Sequence, residues 1–564
     1  MNQLSGAEAL VRLLQGHGVR HIFGLCGDTS LPFYDALYRL DHGIVHILTR
    51  DERSAAYMAD AYARVTGRVG VCEGPSGGGA TYILPGVVEA NESSIPVLAV
   101  TTDISVAARG RFALTELDQE ALFRPLTKWN RVIDRAEQLP GVVRTAFRQM
   151  TTGRPGAAHV GLPFDVQKAP VDEADVHADA PLGSYPARRV APHPDAIEDA
   201  AAAMLSARQP LFICGGGPVI AGAETELLRV AEALDAPVAT TISGKGSIAE
   251  DHPLALGVVG SNGGTPETRA VVDRADLVIF IGCRAGSVTT ERWRHPEPGK
   301  VRVVHIDVDP AVIGANYPTE VAVVGDARLA LAALAEAIGP APKPSAGRVS
   351  GRALVAEAKA RKFAALAELA ESDAKPIRPE RIVATLQKLL PEDAILVADA
   401  GTPCPYFSAY YRFCRSGRHF ITNRAHGALG YALPASVGAQ IGRPDAKCIA
   451  VMGDGSFGFA SGELESVVRL GLPITMVVIA NASFGWIKAG QRSGFGGRYF
   501  SVDFTPGQHA RIAEAYGVRA WRVEEPRALQ PALEEALASD GPSLVEVITQ
   551  PLQEARAPVS EWIA

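Results

Sequence analysis

Short runs of β-branched and aliphatic residues alternate with helical stretches along the whole chain, which restricts the fold to parallel sheets covered by helices. In a first block the runs fall near His21–Cys26, Val45–Leu48, Val69–Cys72, Val97–Thr101 and Ala158–Gly161. Between them Glu52–Val65 is rich in Ala and Tyr, with apolar residues at helical spacing. A second block places strands at Leu211–Cys214, Val238–Thr241, Leu277–Ile281, Val303–Ile306 and Val321–Val324. A third has them at Ile395–Ala398, Cys448–Val451, Thr475–Ile479 and Leu544–Ile548. Val171–Asp195 and the Pro-rich Gly339–Ser345 carry no periodic signal and read as linkers. The expectation is three doubly wound α/β domains with parallel sheets, at 1–170, 190–340 and 375–550, and a C-terminal tail over 551–564. A chain of 564 residues exceeds what one hydrophobic core organises, and no short solenoid repeat competes with this division.

Several functional classes drop out. The net charge of −7 is spread along the chain and offers no basic footprint for nucleic acid. The longest apolar runs, such as Ile474–Ala480 and Leu277–Cys283, are strand length, short of the ~20 residues of a membrane helix. Met1–Gly6 does not read as the start of a signal peptide. The seven cysteines are scattered and none forms a CxxC pair, so neither a disulfide framework nor a zinc site is indicated. A reducing, cytoplasmic compartment is expected.

The strongest local signal is Cys448–Ser456, a strand entering Gly453-Asp454-Gly455-Ser456 ahead of a helix read over Ser461–Leu470. Glycines let the backbone approach an anion, and a helix start offers unpaired N–H groups. A carboxylate among phosphates is repelled unless a divalent cation intervenes, so Asp454 reads as a Mg²⁺ or Ca²⁺ ligand bridging to a diphosphate. The next strand ends at Asn481-Ala482-Ser483. Both strand ends face the same sheet edge, so the Asn481 side chain and the Ser483 carbonyl supply further oxygen ligands. Taken alone, the turn is equally a plain N-cap. Asn481 at the matching strand end tips the balance.

This Gly-Asp-Gly-Ser, with Asn481 placed 27 residues after Asp454, resembles the diphosphate motif of thiamine-diphosphate enzymes, although the usual second Asn is here Ala482. The three-block order resembles the acetolactate synthase, pyruvate decarboxylase and 2-hydroxyacyl-CoA lyase superfamily over essentially the whole chain, closest to acetolactate synthase-like large subunits. The resemblance implies pyrimidine-binding, central and diphosphate-binding domains, in that order. It makes Glu52, in Leu48–Ala59, the acid that shares a proton with the pyrimidine N1′ and favours the imino tautomer. Asn423–Pro434 resembles the stretch between the cofactor's rings: Leu429 takes the place of the apolar prop, and Gly427 offers its carbonyl to the 4′-amino group. Gly401 and Thr402 fall where relatives contact the diphosphate. Asp28 matches a proton-transfer Asp of pyruvate decarboxylases. His426 is a candidate proton relay, and Lys488 a candidate for a substrate carboxylate or phosphate-like group. Relatives seat the cofactor between two subunits, which implies a homodimer or homotetramer.

In the central block Cys214–Gly217 (with Gly216 and Gly217), Gly282–Arg284, His305–Asp307 and Gly325-Asp326 follow strands. In relatives this pattern binds FAD or ADP, and here Arg284, Asp307 and Asp326 are the matching side chains; an empty, vestigial site is the other reading. The flavin-binding synthases' Arg-Phe-Asp-Asp-Arg is broken to Arg284–Val288. Their Phe-Gln-Glu is Leu114-Thr115-Glu116, and Ala489-Gly490 replaces a Gln-Trp pair. The expected activity is therefore a thiamine-diphosphate- and Mg²⁺-dependent lyase or carboligase, acting on a 2-oxo acid or acyl substrate through an enamine carbanion. A 2-hydroxyacyl-CoA lyase, a 1,2-dione hydrolase, a flavin-dependent oxidase and a non-catalytic nucleotide-binding subunit stand as alternatives.

Overall fold

The structure is a computed structural model that describes residues 3–340 and 345–562. It contains three domains, each built on a six-stranded parallel sheet flanked by helices. In the first sheet the spatial order is Val45–Leu48, His21–Gly24, Gly70–Gly74, Val97–Asp103, Ala158–Pro163, Trp129–Val132. In the third it is Phe420–Thr422, Ile395–Ala398, Cys448–Gly453, Thr475–Ala480, Ser543–Ile548, Arg519–Val523. Numbered along the chain, both read 2-1-3-4-6-5. The central sheet differs: Ala255–Val258, Val238–Thr240, Pro210–Cys214, Leu277–Ile281, Arg302–Asp307, Val321–Val324, or 3-2-1-4-5-6, the order of dinucleotide-binding folds. Interior strands such as Val97–Asp103 and Leu277–Ile281 are buried at every position, which is why they read as unbroken apolar runs.

The expected strands are present. Four more in the six-stranded sheets were not legible: Trp129–Val132, Ala255–Val258, Phe420–Thr422 and Arg519–Val523. The segment read as the first linker is attached to the first domain. Pro170–Asp172 pairs antiparallel with Gln3–Ser5, the Val69 N–H donates to Gly183 at 3.0 Å, and the Tyr185 hydroxyl donates to the Ala63 carbonyl at 2.9 Å. Extended chain held by scattered backbone bonds has no side-chain period to show. Of the second linker, 341–344 lies outside the described residues.

By contacts the chain falls into two compact units. One comprises the residues up to Arg188 with Asn423–Asp445 and Ala460–Leu472; the other comprises the remainder. Within the first, helix Glu52–Thr66 lies on helix Ala432–Gly442. The close approach requires Gly438, where a Cβ would overlap the Met58 carbonyl. Tyr431 seals this contact, its ring 5.0 Å from that of Tyr57 and its hydroxyl donating to Asp60 at 2.5 Å. No helix among the described residues is long and apolar enough to cross a membrane.

Candidate active site

In the third domain the strand order reverses between Ile395–Ala398 and Cys448–Gly453, and loops at such a point leave a crevice beyond the strand ends. Asp454 sits there, 5% exposed. Contrary to the expected helix over Ser461–Leu470, a helix starts at Asp454 itself and runs to Ala460; a short turn at Ser461–Glu463 and a helix Leu464–Arg469 follow. One Asp454 oxygen accepts from Gly455 N–H at 2.8 Å, the other from Asn481 and Ala482 N–H at 2.8 and 2.6 Å. The carboxylate thus binds the ends of two adjacent strands together. Burial pushes its pKa above the ordinary value, while the three N–H groups pull the other way by favouring the anion. The Ser483 hydroxyl donates to Asn481 Oδ1 at 3.1 Å, orienting that amide, and the Ser483 carbonyl accepts from Gly485 N–H at 2.9 Å.

Gly401, with φ of +95°, and Gly453 both face open space where a Cβ would stand. Thr402 and Ser456 are buried beside them in sequence. No group of three or more His, Cys, Asp or Glu side chains able to hold a metal occurs among the described residues. One carboxylate, an amide oxygen and a carbonyl fit Mg²⁺ that takes its remaining ligands from a diphosphate and water. Lys488 is engaged: its ammonium pairs with Asp503 at 2.5 Å and lies 5.0 Å from the Tyr499 ring centroid.

In the first domain Glu52 opens its helix, capped by Asp51, which accepts from Arg53 N–H and pairs with the Arg53 guanidinium at 2.6 Å. Glu52 is 7% exposed. Two glycines make room for it: a Cβ on Gly74 would stand 3.3 Å from Glu52 Cγ, and one on Gly79 would stand 3.1 Å from Oε1. Burial raises its pKa, and the negative charges of Asp51 and Glu73 add to the rise. The approach to it is fixed by Glu463, which accepts from Arg50 N–H at 2.8 Å. The loop carrying His426, Gly427 and Leu429 belongs to the same compact unit. Glu89, itself buried, accepts from His426 N–H at 2.7 Å and from Arg64 at 3.2 Å, so the loop backbone is anchored while the His426 ring is exposed. Gly427 has φ of +79° and open space at its Cβ position, and Leu429 is half-buried. Asp28 is exposed, one oxygen accepting from Thr29 N–H at 2.8 Å.

The central sheet reverses between Pro210–Cys214 and Leu277–Ile281, which brings Gly215 and Gly217 against Gly282, while Gly216 faces Ser243. A Cβ on Gly217 would stand 2.5 Å from the Gly282 Cα, so part of this glycine pattern serves loop-on-loop packing. Arg284 is exposed. Asp307 accepts from Asp309 N–H at 2.9 Å. Asp326 is committed: it caps helix Ala327–Ile338 and takes both bonds of Arg189 at 2.8 Å.

Sequence reasoning missed Glu73. It is the penultimate residue of the strand Gly70–Gly74, 1% exposed, against Tyr34 and His46. The available signal was a carboxylate at the end of an interior apolar strand, where water does not reach.

Comparisons with known proteins identify the three domains. The thiamine pyrophosphate enzyme N-terminal TPP binding domain matches residues 4–122, the central domain 197–334 and the C-terminal TPP binding domain 399–547. The probable acetolactate synthase large subunit of Methanocaldococcus jannaschii is 36% identical, covering 98% of this chain and 93% of its own length. That of Methanococcus aeolicus is 34% identical over 97% and 92%. The Escherichia coli acetolactate synthase isozyme 3 large subunit is 31% identical over 95% and 93%. The chain belongs to the thiamine-diphosphate-dependent enzymes, in the family of the acetolactate synthase large subunits.

Proposed function

We propose that this enzyme joins a 2-oxo acid donor to a second carbonyl compound, using thiamine diphosphate and Mg²⁺. The observation that carries this reading is Asp454 drawing the ends of two strands together beside Asn481, in a domain of the matching family. Bound thiamine diphosphate supplies a carbon nucleophile for carbonyl addition and a sink for the electrons released when the donor's bond breaks. The chain's residues do the rest. Asp454, the Asn481 side chain and the Ser483 carbonyl hold the Mg²⁺, and Gly401, Thr402, Gly453, Gly455 and Ser456 take the diphosphate. Glu52 keeps a proton at N1′ of the pyrimidine; Gly427 accepts from its amino group and Leu429 supports the ring. Asp28 and His426 exchange protons with substrate. Lys488, released from Asp503, addresses the donor's carboxylate.

The acceptor differs from the synthase pattern, since Thr115 stands in place of Gln with its hydroxyl 2.7 Å from that of Ser76. The central strand order supports a nucleotide, FAD or ADP, held by Gly216, Gly217, Arg284 and Asp307. We take 1–170, 190–340 and 375–550 as the domain boundaries. A homodimer or homotetramer fits the exposed Phe112, Leu114 and Phe500. The seven cysteines, among which no disulfide forms in the described residues, fit the cytoplasm.

The test is to offer pyruvate, longer 2-oxo acids, a 1,2-dione and a 2-hydroxyacyl-CoA to the Mg²⁺ and thiamine-diphosphate form, with products identified by mass spectrometry. Coupling of a 2-oxo acid to a carbonyl acceptor is expected. Turnover of the dione or the acyl-CoA alone overturns the reading. Visible flavin absorption in the purified protein assigns FAD to the central domain.

A further inference from the structure

Lys362 is a buried amine that the mechanism above does not use. On helix Gly351–Ala370 the buried side chains are Leu354, Val355, Ala358, Lys362 and Leu366, so the lysine stands on the apolar stripe where that spacing calls for a leucine. The residue is 4% exposed. Its Nζ lies 5.5 Å from the Phe363 ring centroid and 5.8 Å from that of Tyr410, at the outer edge of cation–π range. Among the described residues no carboxylate pairs with it and no group accepts a hydrogen bond from it. The local carboxylate is already committed: Glu250 pairs with Lys245 at 2.7 Å and accepts from Phe413 N–H at 3.0 Å. Lys359, one turn earlier on the same helix, donates to the Glu250 and His252 carbonyls at 2.7 and 3.1 Å. One side of the Lys362 amine is open. A Cβ on Gly257, in strand Ala255–Val258, would meet Lys362 Nζ at 3.5 Å and, its chain neighbours apart, no other atom within 4 Å. An ammonium desolvated without a partner is costly, so the neutral amine is favoured. Burial, with the charges of Lys245 and Lys359 adding and those of Glu250 and Glu267 opposing, pushes its pKa down to about 7.

We propose that Lys362 is a carbamylation site: its neutral amine adds dissolved CO2, and the carbamate fills the space over Gly257 and gives the Lys359 ammonium the carboxylate it lacks. The nitrogen lone pair attacks the CO2 carbon, one C=O π pair moves onto oxygen, and an N–H proton leaves to water. Amine and CO2 thus give a carbamate and one proton, with no oxidant or further reactant. A desolvated lysine amine is a nucleophile at neutral pH. A small uncharged electrophile suits a site that leaves so little of the lysine exposed, and a metabolite-sized acyl donor does not. The titratable groups around the amine come from each element packed there. They are Glu267 on helix Pro266–Val272, Tyr410 on helix Pro403–Tyr410, Glu380 on helix Pro379–Leu389, Lys245 and Glu250, Lys359, and Arg412, whose guanidinium lies 4.8 Å from the Phe363 ring centroid. Tyr410 is pushed up to about 12 and stays neutral. Burial pushes Lys245 and Lys359 down as well, but both nitrogens are engaged, one by Glu250 and the other by two carbonyls. Lys362 alone of the three is free to react. The site is independent of the reaction proposed above.

The experiment equilibrates the full-length protein with isotope-labelled CO2 and bicarbonate, traps carbamates as ethyl esters with triethyloxonium ion, and locates the mark by peptide mass spectrometry. The mark is expected on Lys362, with Lys245 and Lys359 unmarked. Absence of the mark from Lys362, or equal marking of all three lysines, overturns the proposal. At constant dissolved CO2 the mark is expected already near neutral pH. A mark that appears only near pH ~10, as for an ordinary lysine, overturns it too. The second readout is the melting temperature in a sealed cell at fixed pH. It is expected to rise with CO2 and bicarbonate in wild type, because a group that adds only to the folded state stabilises it. The rise is expected to be lost in Lys362→Met, which keeps an apolar stem on the stripe and has no amine. An equal rise in wild type with sodium chloride at the same ionic strength means a loosely held anion and overturns the carbamate. If Lys362→Met does not fold, the trapping result on wild type decides alone.

Discussion

Glu52 and Asp454 are both buried carboxyls beyond strand ends of sheets with the same strand order, and burial raises both pKa values. Their partners push in opposite directions. Asp454 accepts three backbone N–H bonds, a set that favours the anion and fixes its orientation. Glu52 stands between the charges of Asp51 and Glu73, a set that favours keeping a proton. One topology thus yields a rigid anionic ligand in one domain and a proton-holding acid in the other. The loops, not the sheets, assign the chemistry.

The same substitution at the two sites breaks this comparison most directly. Glu52→Gln is expected to lower kcat by about 10²–10⁴-fold, the usual worth of positioned acid–base catalysis, with cofactor affinity retained. Turnover within a few-fold of wild type refutes the assigned role. Asp454→Asn is expected to weaken Mg²⁺-dependent thiamine-diphosphate binding by at least about 10–100-fold, as followed by fluorescence quenching. The two variants also differ in the sign of their effect on stability. Because the folded pKa of Glu52 lies above its unfolded value, its contribution is present below about pH 4 and is lost as pH rises through the folded value. Glu52→Gln is therefore expected to melt higher than wild type at neutral pH. Burial raises the Asp454 pKa as well, yet Asp454→Asn turns an amide N–H₂ toward a backbone donor and leaves an N–H unpaired, a cost of about 1–3 kcal/mol that acts at every pH, so it is expected to melt lower. Melting shifts of the same sign in both remove the distinction.

A smaller effect tests what holds the acid in place. In Gly438→Ala the new methyl meets the Met58 carbonyl and separates helix Glu52–Thr66 from helix Ala432–Gly442. A loss of about 1–3 kcal/mol in chemical denaturation is expected. An unchanged midpoint shows that the helices have room to move apart.

These contrasts were unevenly legible beforehand. Interior strands announced themselves because both faces are buried. The four unread strands of the six-stranded sheets are all edges: Trp129–Val132 and Arg519–Val523 are only partly buried, and Phe420–Thr422 and Ala255–Val258 span only three and four residues. Asp454 and Glu52 were readable because each lies in a local pattern of its own. Glu73 was not, since its environment comes from Tyr34, His46 and Gly24, on three other elements. The central glycines were readable as turns, yet their reason is partly their packing on one another.

The smallest expected effect concerns the missing second asparagine. Ala482 has φ of +55°, a left-handed conformation that costs an L-residue roughly 1–2 kcal/mol and that Asn adopts more readily. The strain is borne because the Ala482 N–H is one of the three donors that hold Asp454. Ala482→Asn is therefore expected to stabilise the fold by about 0.5–1 kcal/mol, part of the strain that it relieves. Since the backbone donor is kept, Mg²⁺ affinity should hold or improve slightly. A lower melting temperature with weaker Mg²⁺ binding means that the site needs a small side chain at 482 more than it needs relaxed backbone. The absent asparagine is then a property of this site's shape, and Asp454 is held by the strain.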